Sequence, residues 1–181
     1  MKRIFSLLAA CLLAAGLAAC GSSPASSGEP KDYAAILTAA RPAEDNENYV
    51  IFRLKDGAYT ATGGYAGDLT DEDIQSQGAM CLQMLGLAAE DVQEAVFSVS
   101  LMNVQSYGLA IVKPADGKEA AVTDGLQTFI DGQKAAQENY LADQYAIAKA
   151  AKLETLKSGE VVLVMCENQD QVFQSIETAL K

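Results

Sequence analysis

Ala95-Val96-Phe97-Ser98-Val99-Ser100-Leu101-Met102-Asn103-Val104, then Gln105-Ser106, then Tyr107-Gly108-Leu109-Ala110-Ile111-Val112-Lys113, is the stretch from which the fold is read. Phe97, Val99 and Leu101 alternate with Val96, Ser98 and Ser100, which is the two-residue period of a β-strand. Tyr107, Leu109 and Ile111 repeat that period after a turn at Gln105-Ser106, so the segment predicts an antiparallel hairpin. Gly108 and Ala110 keep the other side of the second strand small, which suits close approach of a covering helix or of another molecule.

Downstream, Pro114 ends the hairpin and Asp116-Gly117-Lys118-Glu119 predicts a capping box opening a long helix. Its inner stripe is expected at Val122, Leu126, Phe129, Ile130, Ala136 and Tyr140. A second short helix follows over 143–152. Leu153 to Leu156 and Val161 to Cys166 then predict a second hairpin about Lys157-Ser158-Gly159. The run from Val161 is apolar on both faces, as a central strand must be. Asn168 is expected to cap the last helix, with Gln171 at its third position and Val172, Phe173, Ile176, Ala179 and Leu180 facing inward.

Upstream, Thr70 and Asp73 have the spacing of a capping box, and Ile74, Cys81, Leu82 and Leu85 form one helical face before Gly86. The acids from Asp68 to Asp73 lack the alternating ligands and distal Glu of a calcium loop, so a helix start explains them better. Tyr33, Ile36, Leu37 and Ala40 predict a helix stopped by Pro42, and the polar stretch Glu44 to Asn48 reads as a loop. Tyr49 to Leu54 and Ala58 to Thr62 flank Asp56-Gly57 as a small hairpin. From residue 70 the order is α-ββ-αα-ββ-α. This is an α+β fold with an antiparallel sheet of about four strands, two hairpins, packed against helices.

The beginning of the chain carries a different message. Lys2 and Arg3 precede an apolar run from Ile4 to Ala19, the layout of a secretory signal. The run is shorter than the roughly 20 apolar residues that span a bilayer core. It ends in Leu17-Ala18-Ala19-Cys20, which looks like the lipobox of bacterial lipoproteins: a branched apolar residue, two small residues, then the thiol that takes a diacylglyceryl group. The expected organisation is a signal at 1–19, a lipidated Cys20 with a Gly/Ser/Pro-rich tether at 20–31, and one domain at 32–181. The expected location is the outer face of the cytoplasmic membrane, held by acyl chains on Cys20.

Composition narrows the chemistry. The 181 residues carry a formal charge of −11, and removing Lys2 and Arg3 with the signal makes the remainder more acidic still. Such a surface repels phosphate backbones, so nucleic acid is not an expected partner. There is no His, which removes Ser/His and Cys/His catalysis and most zinc sites. No metal or cofactor motif stands out. Cys81 and Cys166 are expected as buried, unpaired thiols, with a disulfide between them as the alternative.

The region from about Val96 to Leu180 resembles a domain-of-unknown-function family found in small lipoproteins of low-GC Gram-positive bacteria. Met102-Asn103-Val104, the alternating strand to Lys113, Tyr140-Leu141 with Gln144-Tyr145, and the strand from Val161 to Cys166 with its following helix carry the resemblance. Two positions depart from the pattern: Ala142 stands where a proline is common, and the Tyr107-Gly108 region lacks a nearby acid. The resemblance implies a location and a fold, but no activity, cofactor or catalytic residue.

The leading functional expectation is a non-enzymatic, lipid-anchored module that binds a small molecule or a protein. Asn103, Gln105 and Tyr107 at the hairpin turn are the first candidate surface. Tyr140 and Tyr145 are the second, either as a buried corner brace between two helices or as an exposed aromatic platform. The apolar stripe favours the brace. The alternative function is a carboxylate-dependent hydrolase acting at the cell wall, with Glu138, Asp143, Glu154 and Glu167 as available acids.

Overall fold

The 95–113 segment forms two adjacent antiparallel strands, but they are shorter and farther apart than the alternation suggests. The computed structural model describes residues 31–181; the expected signal, the lipobox, Cys20 and the tether through Pro30 lie outside the described residues. Along the chain come α1 (Tyr33–Ala40), α2 (Ala43–Asn48), β1 (Ile51–Lys55), β2 (Ala58–Thr62) and α3 (Asp71–Met84). Then come β3 (Val92–Val99), β4 (Gly108–Pro114), α4 (Glu119–Gln137), α5 (Ala142–Lys149), β5 (Lys152–Thr155), β6 (Val161–Met165) and α6 (Gln169–Ala179). No helix among the described residues is long and apolar enough to cross a membrane.

The strands make one six-stranded sheet in the order β2-β1-β3-β4-β6-β5, antiparallel throughout. This corrects the expectation of about four strands. The N-terminal hairpin is not a separate element: β1 pairs with β3 through Phe52 opposite Phe97 and Leu54 opposite Ala95. Its turn, Asp56-Gly57, has positive φ at both residues, 52° and 76°, the geometry that matches the twist of a tight hairpin. Strand order follows apolar content. β6 is buried at every position and lies inside the sheet between β4 and β5. β2 and β5 alternate or end in exposed polar residues and take the edges.

Helices cover both faces. On one face α3, α4 and α5 pack Cys81, Leu82, Leu126 and Phe129 against Phe52, Phe97, Ala110 and Leu163. On the other, α1 and α6 pack Tyr33, Leu37, Phe173 and Ile176 against Val96, Leu109, Ile111 and Val164. The small strand positions do receive a helix: a Cβ at Gly108 would lie 2.6 Å from the Phe129 ring. The backbones at Gly86, after α3, and Gly125, in α4, approach so closely that a Cβ on Gly125 would lie 2.3 Å from the Gly86 oxygen.

Several local expectations need correction. Glu44 to Asn48 is not a loop but most of α2, started at Pro42, with Glu44 and Asp45 in its first turn where the helix dipole favours acids. The strand from Ala95 stops at Val99 rather than Val104. Ser100 explains this: its Oγ accepts from the Met102 N–H at 3.1 Å and donates to Gln105 Oε1 at 3.1 Å, offering the backbone a turn in place of a ladder. Leu101, Met102 and Val104 are therefore exposed on a wide connection. The Thr70–Asp73 capping box is present, but no side chain caps α4 at Lys118 or α6 at Asn168. Ala136, Tyr140 and Ala179 are exposed. In the last turn of α4 the inward position belongs to Gln137, whose Nε2 donates to the Asn103 carbonyl at 2.8 Å.

Candidate functional site

The β3–β4 connection, α2, and the segment where β6 runs into α6 meet at one end of the sheet and enclose a cleft of about 370 Å³. Its aromatic wall is Tyr49 and Tyr107, stacked with ring centroids 4.1 Å apart and planes 13° from parallel. Gln105, Gln144, Asn48 and Asn168 add amides, and Glu44, Asp45 and Glu167 add carboxylates. Ile147 and the buried Cys166 supply apolar lining.

Arg41 holds this wall from behind. It is only 4% exposed. Its Nη1 donates to Ser98 Oγ at 2.9 Å and to the Tyr107 hydroxyl at 3.3 Å, its Nη2 to the Tyr49 carbonyl at 2.8 Å, and its Nε to Asn46 Oδ1 at 2.6 Å. Ser98 Oγ in turn donates to the Val50 carbonyl at 2.8 Å. Among the described residues Arg41 forms no ion pair, so neutral oxygens bear its charge. A planar guanidinium suits this task, because its fork reaches several acceptors at fixed angles.

The loop side is fixed as firmly. The Tyr49 hydroxyl donates to Gln105 Oε1 at 2.7 Å, the same oxygen that Ser100 reaches. The Ser106 N–H donates to Gln144 Oε1 at 2.8 Å, tying the β3–β4 connection to α5. Ser106 itself is buried, and its Oγ has no hydrogen-bond partner among the described residues.

Charge in the cleft is unbalanced toward the negative. Partial burial raises Asp45 above the ordinary carboxylate range; the nearby Tyr107 hydroxyl and the charge of Arg41 oppose the rise, while Glu44 and Glu167 add to it. Burial raises Tyr49 too, and the same three carboxylates push it further. Burial pushes the Cys166 thiol up to about 12, helped by Asp45 and Glu167, so it stays protonated and is a poor nucleophile. Among the described residues no three His, Cys, Asp or Glu side chains are grouped to hold a metal ion.

Of the residues singled out in the sequence, Gln105 and Tyr107 line this cleft. Asn103 is exposed at the tip of the connection and engages Gln137 through its backbone carbonyl only. Tyr140, at 70% exposure, is no corner brace; Tyr145 is partly buried on α5, and neither lines the cleft. Of the four candidate acids only Glu167 reaches it. Sequence reasoning missed Arg41, Asp45, Tyr49 and Gln144. The available signal was an arginine beside a proline between two apolar segments, and it gains meaning only when Ser98 and Tyr107 arrive from the sheet.

No curated protein and no solved structure matches the chain. A family match covers residues 65–166, more than half of the chain. It begins upstream of Val96, where the resemblance in the sequence starts, and ends at Cys166, short of α6. It takes in Gln105, Ser106, Tyr107 and Gln144, but not Arg41, Asp45, Tyr49 or Glu167, so the cleft is completed by parts outside the matched span. On this match the chain belongs to the domain-of-unknown-function family DUF4358.

Proposed function

We propose that this protein is a lipid-anchored extracytoplasmic binding module, of the kind found in small lipoproteins of low-GC Gram-positive bacteria, that takes a small polar ligand in the Tyr49–Tyr107 cleft. The observation that carries the binding reading is the pre-set wall. A charged side chain is buried at Arg41, at an energetic cost, and its hydrogen bonds hold two tyrosines in one stacked arrangement beside convergent amides and carboxylates. Rigid polar lining of this kind lowers the ordering cost of binding. The anchoring reading rests on Leu17-Ala18-Ala19-Cys20 and the charged, apolar segment before it.

Two measurements test it. The wild type should partition with membranes through a high-salt wash and carry added acyl mass, whereas Cys20→Ser should lack that mass. Wild-type protein of unshifted mass that salt releases would reject the anchor. Tyr107→Ala and Gln105→Ala should abolish ligand-induced thermal stabilisation in a screen of small polar molecules that stabilise the wild type.

A carboxylate-dependent hydrolase remains as a second reading because one observation favours it: Asp45, raised, shares the cleft with the exposed Glu167. A raised carboxyl that shares a cleft with a second one can divide the roles of acid and base. Release of new reducing ends from cell-wall glycan, lost in Asp45→Asn, would establish it; no release by the wild type would reject it.

A further inference from the structure

We propose that the ligand of the cleft is a small organic cation, whose ammonium or guanidinium group is drawn in by the carboxylates of Glu44, Asp45 and Glu167. This rests on the binding reading above and names the ligand's charge. Three carboxylates line the cleft and no Lys or Arg does. Glu44 and Glu167 both help to raise Asp45, and all three carboxylates help to raise Tyr49. Arg41, behind Tyr107, offsets one of these charges and leaves the rest uncompensated. Repulsion of this kind destabilises the folded chain, and a bound cation relieves it.

An independent feature points to the same place. Ser106 is 2% exposed and lines the cleft, and its Oγ is a buried hydroxyl without a partner among the described residues. Such a group is uncommon and leaves hydrogen-bonding capacity for an N–H or O–H of a ligand. The tyrosine rings add a negative quadrupole that attracts cations. An anion would meet three like charges. Among the described residues no three acids are grouped to ligate a metal ion, whereas an organic cation spreads its charge over a body that a cleft of about 370 Å³ can hold.

Calorimetric titration of the purified protein with two matched pairs tests this: glucosamine against glucose, and 1,4-diaminobutane against 1,4-butanediol. Each pair keeps a skeleton and exchanges ammonium for hydroxyl. The cationic member of at least one pair should bind at least tenfold more tightly than its neutral partner, and added salt should weaken it. Glu167→Gln should reduce that affinity about tenfold, while Asp116→Asn, an exposed acid beyond the far end of β4, should leave it unchanged. Neutral members binding as well as cationic ones would overturn the charge inference and leave the binding reading standing. Equal losses in Glu167→Gln and Asp116→Asn would reduce the effect to general charge attraction and overturn it as well. Binding of none of the four would sink the inference and count against the cleft as a small-ligand site.

Discussion

Tyr49 lies flat against Tyr107, and the guanidinium of Arg41 reaches the backbone carbonyl of the first and the hydroxyl of the second. One residue at the end of a helix thereby registers the start of β1 against the start of β4. Stability and the cleft's shape depend on the same side chain.

Arg41→Lys should therefore cost about 2–3 kcal/mol, because an ammonium keeps the charge but cannot reproduce four directed bonds, and each charged hydrogen bond contributes about 1.5–3 kcal/mol. Chemical denaturation reads the cost. The lysine variant should also lose ligand-induced stabilisation out of proportion to its own stability loss, which a purely structural role would not produce.

Cys81 faces the core under α3 and Cys166 faces the one under α6, on opposite sides of the sheet. They cannot pair. Intact mass should be the same with and without reductant, and alkylation should modify neither described thiol until denaturant is added. Burial pushes Cys81 up to about 11 and Cys166 up to about 12. A raised folded-state value means that the folded chain holds its protons longer, so this contribution is complete below the unfolded thiol value of about 8.5. It is lost as pH rises toward 11 and 12. The denaturation midpoint should fall across that window.

Glu160 has the opposite sign. Burial alone would raise it, but the nearby hydroxyls of Ser158 and Tyr33, its own backbone N–H and the charge of Lys31 hold it below the ordinary carboxylate range. The Tyr33 hydroxyl donates to it at 2.9 Å, and Lys31 reaches both Glu160 and the Leu180 carbonyl. A depressed value contributes stability above the unfolded carboxylate range, near 4.3, and that stability disappears as pH falls through the folded value. Glu160→Gln should be less stable than wild type at neutral pH by about 1 kcal/mol. The gap should close in acid; a gap that persists at the lowest pH would remove the ionised carboxylate from the account.

Tyr140→Ala should change stability by no more than about 0.5 kcal/mol, as exposed substitutions do. Gln137→Ala, one turn earlier and buried, leaves the Asn103 carbonyl without its donor and should cost about 1–3 kcal/mol. The connection from Leu101 to Val104 should then exchange amide protons faster than in the wild type. Equal effects of the two substitutions would contradict the assignment of Gln137 as inward and Tyr140, just past the end of α4, as outward.

The sequence by itself determined those parts of the fold whose residues answer to their near neighbours. The alternation Phe97-Ser98-Val99, the all-apolar run from Val161 and the Thr70–Asp73 box each state a periodicity or a cap that local chemistry enforces, and each is found. The positive-φ turn at Asp56-Gly57 belongs with them. The tertiary structure alone decided the rest. Whether the first hairpin stands apart or adds to the sheet depends on Phe52 meeting Phe97, a contact that no spacing encodes. Helical stripes fail at their ends for a similar reason: Gln137 turns inward because the Asn103 carbonyl is there to receive it, and Tyr140 passes out to solvent. The cleft is the extreme case. Arg41, Tyr49, Ser98 and Tyr107 come from separate segments, and a buried charge is tolerable only where all of its oxygens arrive together.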